Sequence, residues 1–148
     1  MSDNSGPVVV GVDGSAQSLH AIELALEEAG LRGAPLHVVH CADITPAVLH
    51  LSGGVNVNTT DLATRQHQEV WELAAPALAD TDVEVTKVEL SGYPADEVVR
   101  HAEDTDAVLV VVGTRGRGRV ASAVLGSTSM RVLEHAPCPV LVAKRRVI

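Results

Sequence analysis

Aromatic side chains are almost missing from this chain of 148 residues: phenylalanine is absent, and Trp71 and Tyr93 are its single tryptophan and tyrosine. A core must therefore be built from aliphatic residues. A flat ring bound by the protein would meet Val, Leu, Ile and Ala walls rather than a stacking box. Cysteine is scarce as well. Cys41 and Cys138 have neither the number nor the spacing for a disulfide framework or a structural zinc site, which fits a reducing compartment. Positive charge is in deficit, with 11 Lys and Arg against 19 Asp and Glu, a net charge of −8. That balance argues against a general nucleic-acid surface, which needs a basic stripe. The basic clusters are confined to Arg115, Arg117 and Arg119, and to Lys144 to Arg146. No apolar run approaches the roughly 18 residues that span a bilayer, and the first residues show no basic region followed by an apolar stretch. The expectation is a soluble, cytoplasmic protein with neither membrane nor nucleic acid as partner.

What is present is aliphatic and periodic. Hydrophobic residues make up 46% of the chain, enough for one globular domain over residues 1–148. Val8 to Val12 reads as a strand that leaves through Asp13-Gly14-Ser15 into a helix, with Ser15 or Ser18 as its cap. Leu19, Ile22, Leu26 and Ala29 recur at helical spacing, and Gly30 and Gly33 stop the helix. Leu36 to Cys41 is a second strand. The stretch from Ala42 to Thr60 is long for a connection and rich in small residues, with a short helical turn near Ala47 to Leu51. Thr60 or Asp61 caps a second long helix to about Ala79, with Trp71, Ala74 and Leu78 on one face and Val70, Leu73 and Ala77 beside them. Val83, Val85, Val88 and Leu90 lie in a third strand. Pro94 opens a helix with Val98, Val99 and Ala102 inward, and Ala107 to Val112 is a fully apolar strand of the kind covered on both faces. Ser127 to Glu134 is the last long helix and Val140 to Ala143 the last strand. Alternation of this kind implies an α/β fold, a five-stranded parallel sheet sandwiched by helices, with ligands at the carboxyl ends of the strands near a switch in strand order.

The strand ends richest in glycine and polar residues follow the first and fourth strands. After the fourth, the chain reads Gly113-Thr-Arg-Gly116, nine residues, then Gly126-Ser127-Thr128. Gly113 ends a buried strand and leaves bare backbone for a ribose. Gly116 and Gly126 allow tight bends and close approach of phosphate oxygens. Ser127 and Thr128 offer hydroxyls and unpaired amides at a helix N-terminus, where the helix dipole also favours an anion. Arg115, Arg117 and Arg119 add charge, or are simply solvated. No Gly-Lys-Ser/Thr follows, so this is not a P-loop. The first turn, Gly11-Val12-Asp13-Gly14, is not the dinucleotide fingerprint.

The pattern G-x-x-G, nine residues, G-S resembles the ATP-binding signature of the universal stress protein family. The opening Val9-Val10-Gly11-Val12-Asp13-Gly14-Ser15 is similar to that family's start, and Arg131 to Val142 to its ending. The match weakens over Ala42 to Thr60 and departs at Arg119, where members often carry small or apolar residues. The resemblance implies a Rossmann-like, adenine nucleotide alpha hydrolase-like fold with sheet order 3-2-1-4-5. It counts Gly11, Val12, Asp13 and Ser15 among the nucleotide-binding residues, with Asp13 hydrogen-bonding the adenine side and the Val39 backbone reading the adenine edge. Val112 and Gly113 would lie on the ribose. Arg115, Gly116, Gly126, Ser127 and Thr128 would hold phosphates bridged by Mg²⁺. It also implies a homodimer through the edge strand Val140 to Val142, and an unidentified protein partner.

Other candidates read as structural. Asp13 is equally suited to capping a helix. His37 and Cys41 fall on one strand face and His40 on the other, so the three do not form a metal set. His20 with Glu23, and His101 with Asp104, sit at helical spacing and read as surface residues. Cys138, between two prolines and with no His to activate it, reads as an inert thiol. The functional expectation is an ATP-binding module that responds to stress, its bound state read by a partner. The alternatives are a slow ATPase or self-phosphorylating enzyme, and an AMP or cyclic-nucleotide binder on the same fold. Hydrolysis needs a group to position water, and no carboxylate or Gln near the motif is an obvious one.

Overall fold

The structure is a computed structural model that describes residues 5–51, 53, 58–114 and 125–144. Its elements are β1 (Val8–Val12), α1 (Ala16–Arg32), β2 (Leu36–Ala42), α2 (Pro46–Leu51), α3 (Thr59–Leu78), β3 (Val85–Ser91), α4 (Pro94–Asp104), β4 (Leu109–Gly113), α5 (Ser127–His135) and β5 (Val140–Ala143). The strands form one five-stranded sheet in the order β3-β2-β1-β4-β5, every neighbouring pair parallel. Val10 pairs with Val38 on one side and Val111 on the other. The order reverses at β1, which creates the crevice between β1 and β4 where ligands of such sheets sit.

Valine runs form the inner strands because β-branched side chains suit a pleated surface buried on both faces. Val8, Val10, Val12 and Val38 pack with Ile22 and Ala25 of α1 and Val70 and Ala74 of α3. Val9, Val39, Val110 and Val112 pack on the other face with Val98 and Ala102 of α4 and Val132 of α5. Leu73, expected beside the inward face of α3, is instead 49% exposed.

Turn chemistry sets the element ends. Gly14, at φ 84°, turns the chain between β1 and α1, a conformation that side chains disfavour. Ser15 caps α1, its Oγ accepting from Ser18 N–H at 3.2 Å. The helix runs through Gly30 and stops at Gly33, whose N–H bonds back to the last turn. α3 is capped by Asn58 rather than by Thr60 or Asp61: Asn58 Oδ1 accepts from both of their backbone N–H groups, at 3.0 and 3.3 Å. Val83 precedes β3, its N–H taken by Thr81 Oγ1. The connection after β2 holds the short α2 where a helical turn was expected.

Candidate functional site

A cavity of about 100 Å³ opens at the carboxyl ends of β1, β2 and β4. Gly11 and Val12 of β1, then Asp13, form one wall, Val39 and Cys41 of β2 a second, and Val112 and Gly113 of β4 a third. Pro94 and Val98 of α4 cover it, and Ser18, Thr128 and Ser129 complete it from α1 and α5. The lining is mostly apolar and contains no aromatic ring among the described residues.

Asp13 leaves β1 in a fixed orientation. Its Oδ1 accepts from Ser15 N–H at 2.8 Å, and its own N–H donates to Ser18 Oγ at 3.2 Å. Ser15 therefore positions Asp13 and caps α1, and it does not itself line the cavity. Gly113 is bare for a reason the sequence does not reveal: a Cβ there would stand 3.0 Å from the backbone carbon of Gln17, in the first turn of α1. Helix packing, and not only ligand space, excludes a side chain.

Gly126 is the N-cap of α5, with φ −74° and ψ 166°, a conformation open to any residue. Its N–H donates to Thr114 O at 2.7 Å, so the two ends of the glycine segment are tied together. Among the described residues no side chain caps α5, and its first turn carries no acidic residue, which leaves that N-terminus electropositive. Thr128 lines the cavity, and Ser127 and Thr128 together line an adjoining groove of about 390 Å³ with Tyr93, Pro94, Asp96 and Arg131. Arg131 Nε donates to Asp96 Oδ1 at 2.6 Å across that groove, and the bond to Asp96 holds its guanidinium above the usual range. Arg115 and Gly116, with Arg117 and Arg119, lie outside the described residues.

Ser18, Cys41, Pro94, Val98 and Ser129 are the lining residues that sequence reasoning missed. Cys41 was reachable by alternation from Val39, since residues two apart share a strand face. Pro94 and Val98 arrive only through the crossover of α4. The Cys41 thiol is pushed up to about 12, first by burial, then by the charges of Glu97 and Asp43, with Arg100 opposing. It is an unreactive wall. Cys138 is also raised by burial, in keeping with an inert thiol.

The histidines of β2 do face opposite ways, and each has a partner. His37 Nδ1 lies 2.9 Å from His101 Nε2 of α4, and His40 Nδ1 lies 2.7 Å from His67 Nδ1 of α3. His101 is thus half-buried and engaged with the sheet rather than a surface residue paired to Asp104. His20 does sit beside Glu23, at 3.5 Å. Among the described residues, no group of three His, Cys, Asp or Glu is set to hold a metal, and no helix is long and apolar enough to cross a membrane.

Comparison with known proteins agrees with this architecture. The model of the universal stress protein family matches residues 5–144. A universal stress protein of Methanocaldococcus jannaschii is 32% identical over 138 residues, covering 93% of this chain and 81% of that protein. One from Thermus aquaticus is 34% identical, covering 93% and 97%. Among solved structures, the hypothetical protein MJ0577 superposes with a TM-score of 0.78 at 21% identity, over 96% of this chain and 98% of that one. A universal stress protein in complex with cAMP gives 0.59 at 23% identity, over 95% and 98%. One from Archaeoglobus fulgidus in complex with dAMP gives 0.57 at 25%, over 93% and 96%. With a family model spanning nearly its whole length, and relatives 32% and 34% identical over 93% of it, this chain belongs to the universal stress protein family.

Proposed function

We propose that the chain is a single-domain adenine-nucleotide-binding module that holds ATP at the β1–β4 crevice and presents its bound state to a partner. The observation that carries this reading is the meeting of Gly11, Val12, Asp13, Val39, Val112, Gly113 and Thr128 around one cavity, with the uncapped N-terminus of α5 at its edge. The aliphatic cavity suits a purine, with Asp13 as its polar contact. The α5 N-terminus, with Gly126, Ser127 and Thr128, suits the phosphates; Arg115 and Gly116 would complete that subsite. Mg²⁺ would arrive on the phosphates and take hydroxyl or water contacts at Ser127 and Thr128, as a hydrated hard cation does.

A nucleoside monophosphate or cyclic nucleotide is the second reading. The small cavity favours it, as do the cAMP and dAMP complexes of two structural relatives. A binding module is preferred to an ATPase because the carboxylates that line the cavity and its adjoining groove among the described residues are already engaged, Asp13 with Ser15 N–H and Asp96 with Arg131. The half-buried edge strand β5, Val140 to Val142, would pair with a second copy, since exposed apolar edges are stable when covered.

Thermal melts with Mg-ATP, AMP and cAMP test the reading, on the wild type and on Gly126→Asp. Aspartate is a good N-cap and the backbone there admits it, so the variant is expected to fold, checked by its melt without ligand, while placing a negative charge against the phosphates. Ligand at ~100 times its dissociation constant stabilises by about 2.7 kcal/mol, roughly 5–10 °C for this size. The expected result is a shift in the wild type that the variant loses. No shift with any adenine nucleotide would leave the glycine segment a structural turn. A larger shift with cAMP or AMP than with ATP would favour the second reading.

A further inference from the structure

The strand that supplies Val39 and Cys41 to the cavity also extends a histidine into each helix layer. His37 meets His101 of α4 at 2.9 Å, the rings tilted by 47°. His40 meets His67 of α3 at 2.7 Å, the rings perpendicular, and both side chains are only 5% exposed. A hydrogen bond between two imidazoles needs a nitrogen lone pair on one of them. It persists with no added proton, or with one shared between the rings. It cannot persist when both rings are charged, because two N–H groups and two cations then face each other inside the fold. We infer that the two pairs form a proton-operated catch on both faces of β2: with at most one added proton each they hold α4 and α3 to the strand, and a second proton releases them.

The surroundings set the direction. Beside His37 and His101 stand Glu84, just before β3, and Asp104, one turn on in α4; both draw protons towards the pair, yet burial dominates and both rings lie below the ordinary histidine value. Glu89 of β3 draws protons towards His67, and burial again dominates. Glu89 is held by Trp71 Nε1–H at 3.0 Å, and Lys87 Nζ lies 5.8 Å from the Trp71 ring. The folded rings of His37, His101 and His67 therefore take up protons at lower pH than the same rings in the unfolded chain. Stability is full above about pH 6.5, the unfolded value, and is lost as pH falls below it, because the unfolded state then binds more protons.

The catch has a consequence at the cavity. α4 carries Pro94 and Val98 into it, and β2 carries Val39 and Cys41. Releasing α4 removes one wall, so ligand affinity falls together with the catch. That coupling rests on the function proposed above; the catch itself does not.

Urea unfolding from pH 8 to pH 5 tests it, on the wild type and on two double variants, His37→Leu/His101→Leu and His40→Leu/His67→Leu. Replacing both partners with apolar groups avoids an orphaned polar atom. In the wild type the folded-to-unfolded ratio should fall below pH 6.5, by up to about tenfold per pH unit for each proton withheld from the folded state. Each double variant should show a shallower slope. A wild-type slope in both overturns the catch. If a double variant does not fold, ring-proton NMR of the wild type decides. Rings of each pair titrating as a coupled unit, below free histidine, support the catch, and four independent titrations at the free-histidine value overturn it. In parallel, ATP-induced stabilisation is compared at pH 7.5 and 5.5, the ligand's own titration being common to all proteins. Loss at pH 5.5 in the wild type but less in His37→Leu/His101→Leu supports the coupling, and equal loss in both overturns it. Absence of ATP binding at either pH counts against the nucleotide reading, and the urea slopes still judge the catch.

Discussion

Ser129 Oγ donates to Gly113 O at 2.5 Å, a buried bond that joins the end of β4 to the first turn of α5. With Gly126 N–H on Thr114 O, it closes both ends of the glycine segment onto the sheet, so the electropositive helix end is held at the cavity rim. Ser129→Ala removes the donor. The expected loss is about 1–2 kcal/mol of stability, read as a lower urea midpoint. Nucleotide affinity should fall as well, by calorimetric titration, because α5 is no longer fixed against β4. An unchanged midpoint would mean the bond adds nothing net.

Gly113→Ala separates the two uses of that glycine. The added methyl meets the Gln17 backbone at 3.0 Å, where backbone cannot easily yield. Overpacking of this kind costs about 1–3 kcal/mol. The melting temperature without any ligand should therefore drop. If the ligand-free protein melts like the wild type while nucleotide binding is lost, ligand space, and not α1, is the constraint.

Cys41 should be nearly inert although it lines the cavity. With its thiol pushed up to about 12, the reactive thiolate is a minor species at pH 8. Labelling with a disulfide reagent at pH 8 should be far slower for the folded protein than for the same protein in urea. Stoichiometric labelling of the Cys138→Ser protein within seconds would contradict this.

Asp96 and Arg131 flank the groove beside Ser127 and Thr128, and both are exposed. Such a pair contributes little to stability, so Asp96→Asn should melt close to the wild type. It should also free Arg131 for an anion and remove a repelling carboxylate, raising the ATP-to-adenosine affinity ratio several-fold. Arg131→Gln should move the ratio the other way. Movement in the same direction for both would show that the groove does not receive phosphates.

Much of this molecule could be read from local pattern. The strand order is the one the family resemblance implies, and the element sequence follows from periods of two and near 3.6. Pro94, Ser15 and Gly33 mark element ends at the expected places, because capping and proline geometry act within a few residues. Asn58 was overlooked as the α3 cap because Thr60 and Asp61 are also good caps; which residue takes the extended conformation depends on how the preceding chain arrives. Leu73 was misassigned because α3 buries a narrow stripe, Val70 and Ala74, at the sheet edge.

The sequence by itself determined the aliphatic core, the α/β alternation and the residues at the ends of β1 and β4, since each depends on composition or on neighbours close in the chain. Tertiary structure decided which of those residues meet. Val39, Pro94 and Val98 reach Asp13 only because parallel crossovers return each helix over the sheet. The face of a β2 histidine follows from its parity, but its partner does not: His37 and His101 are 64 residues apart, His40 and His67 are 27 apart, and only the packing of α4 and α3 onto opposite faces of β2 brings each pair within a hydrogen bond.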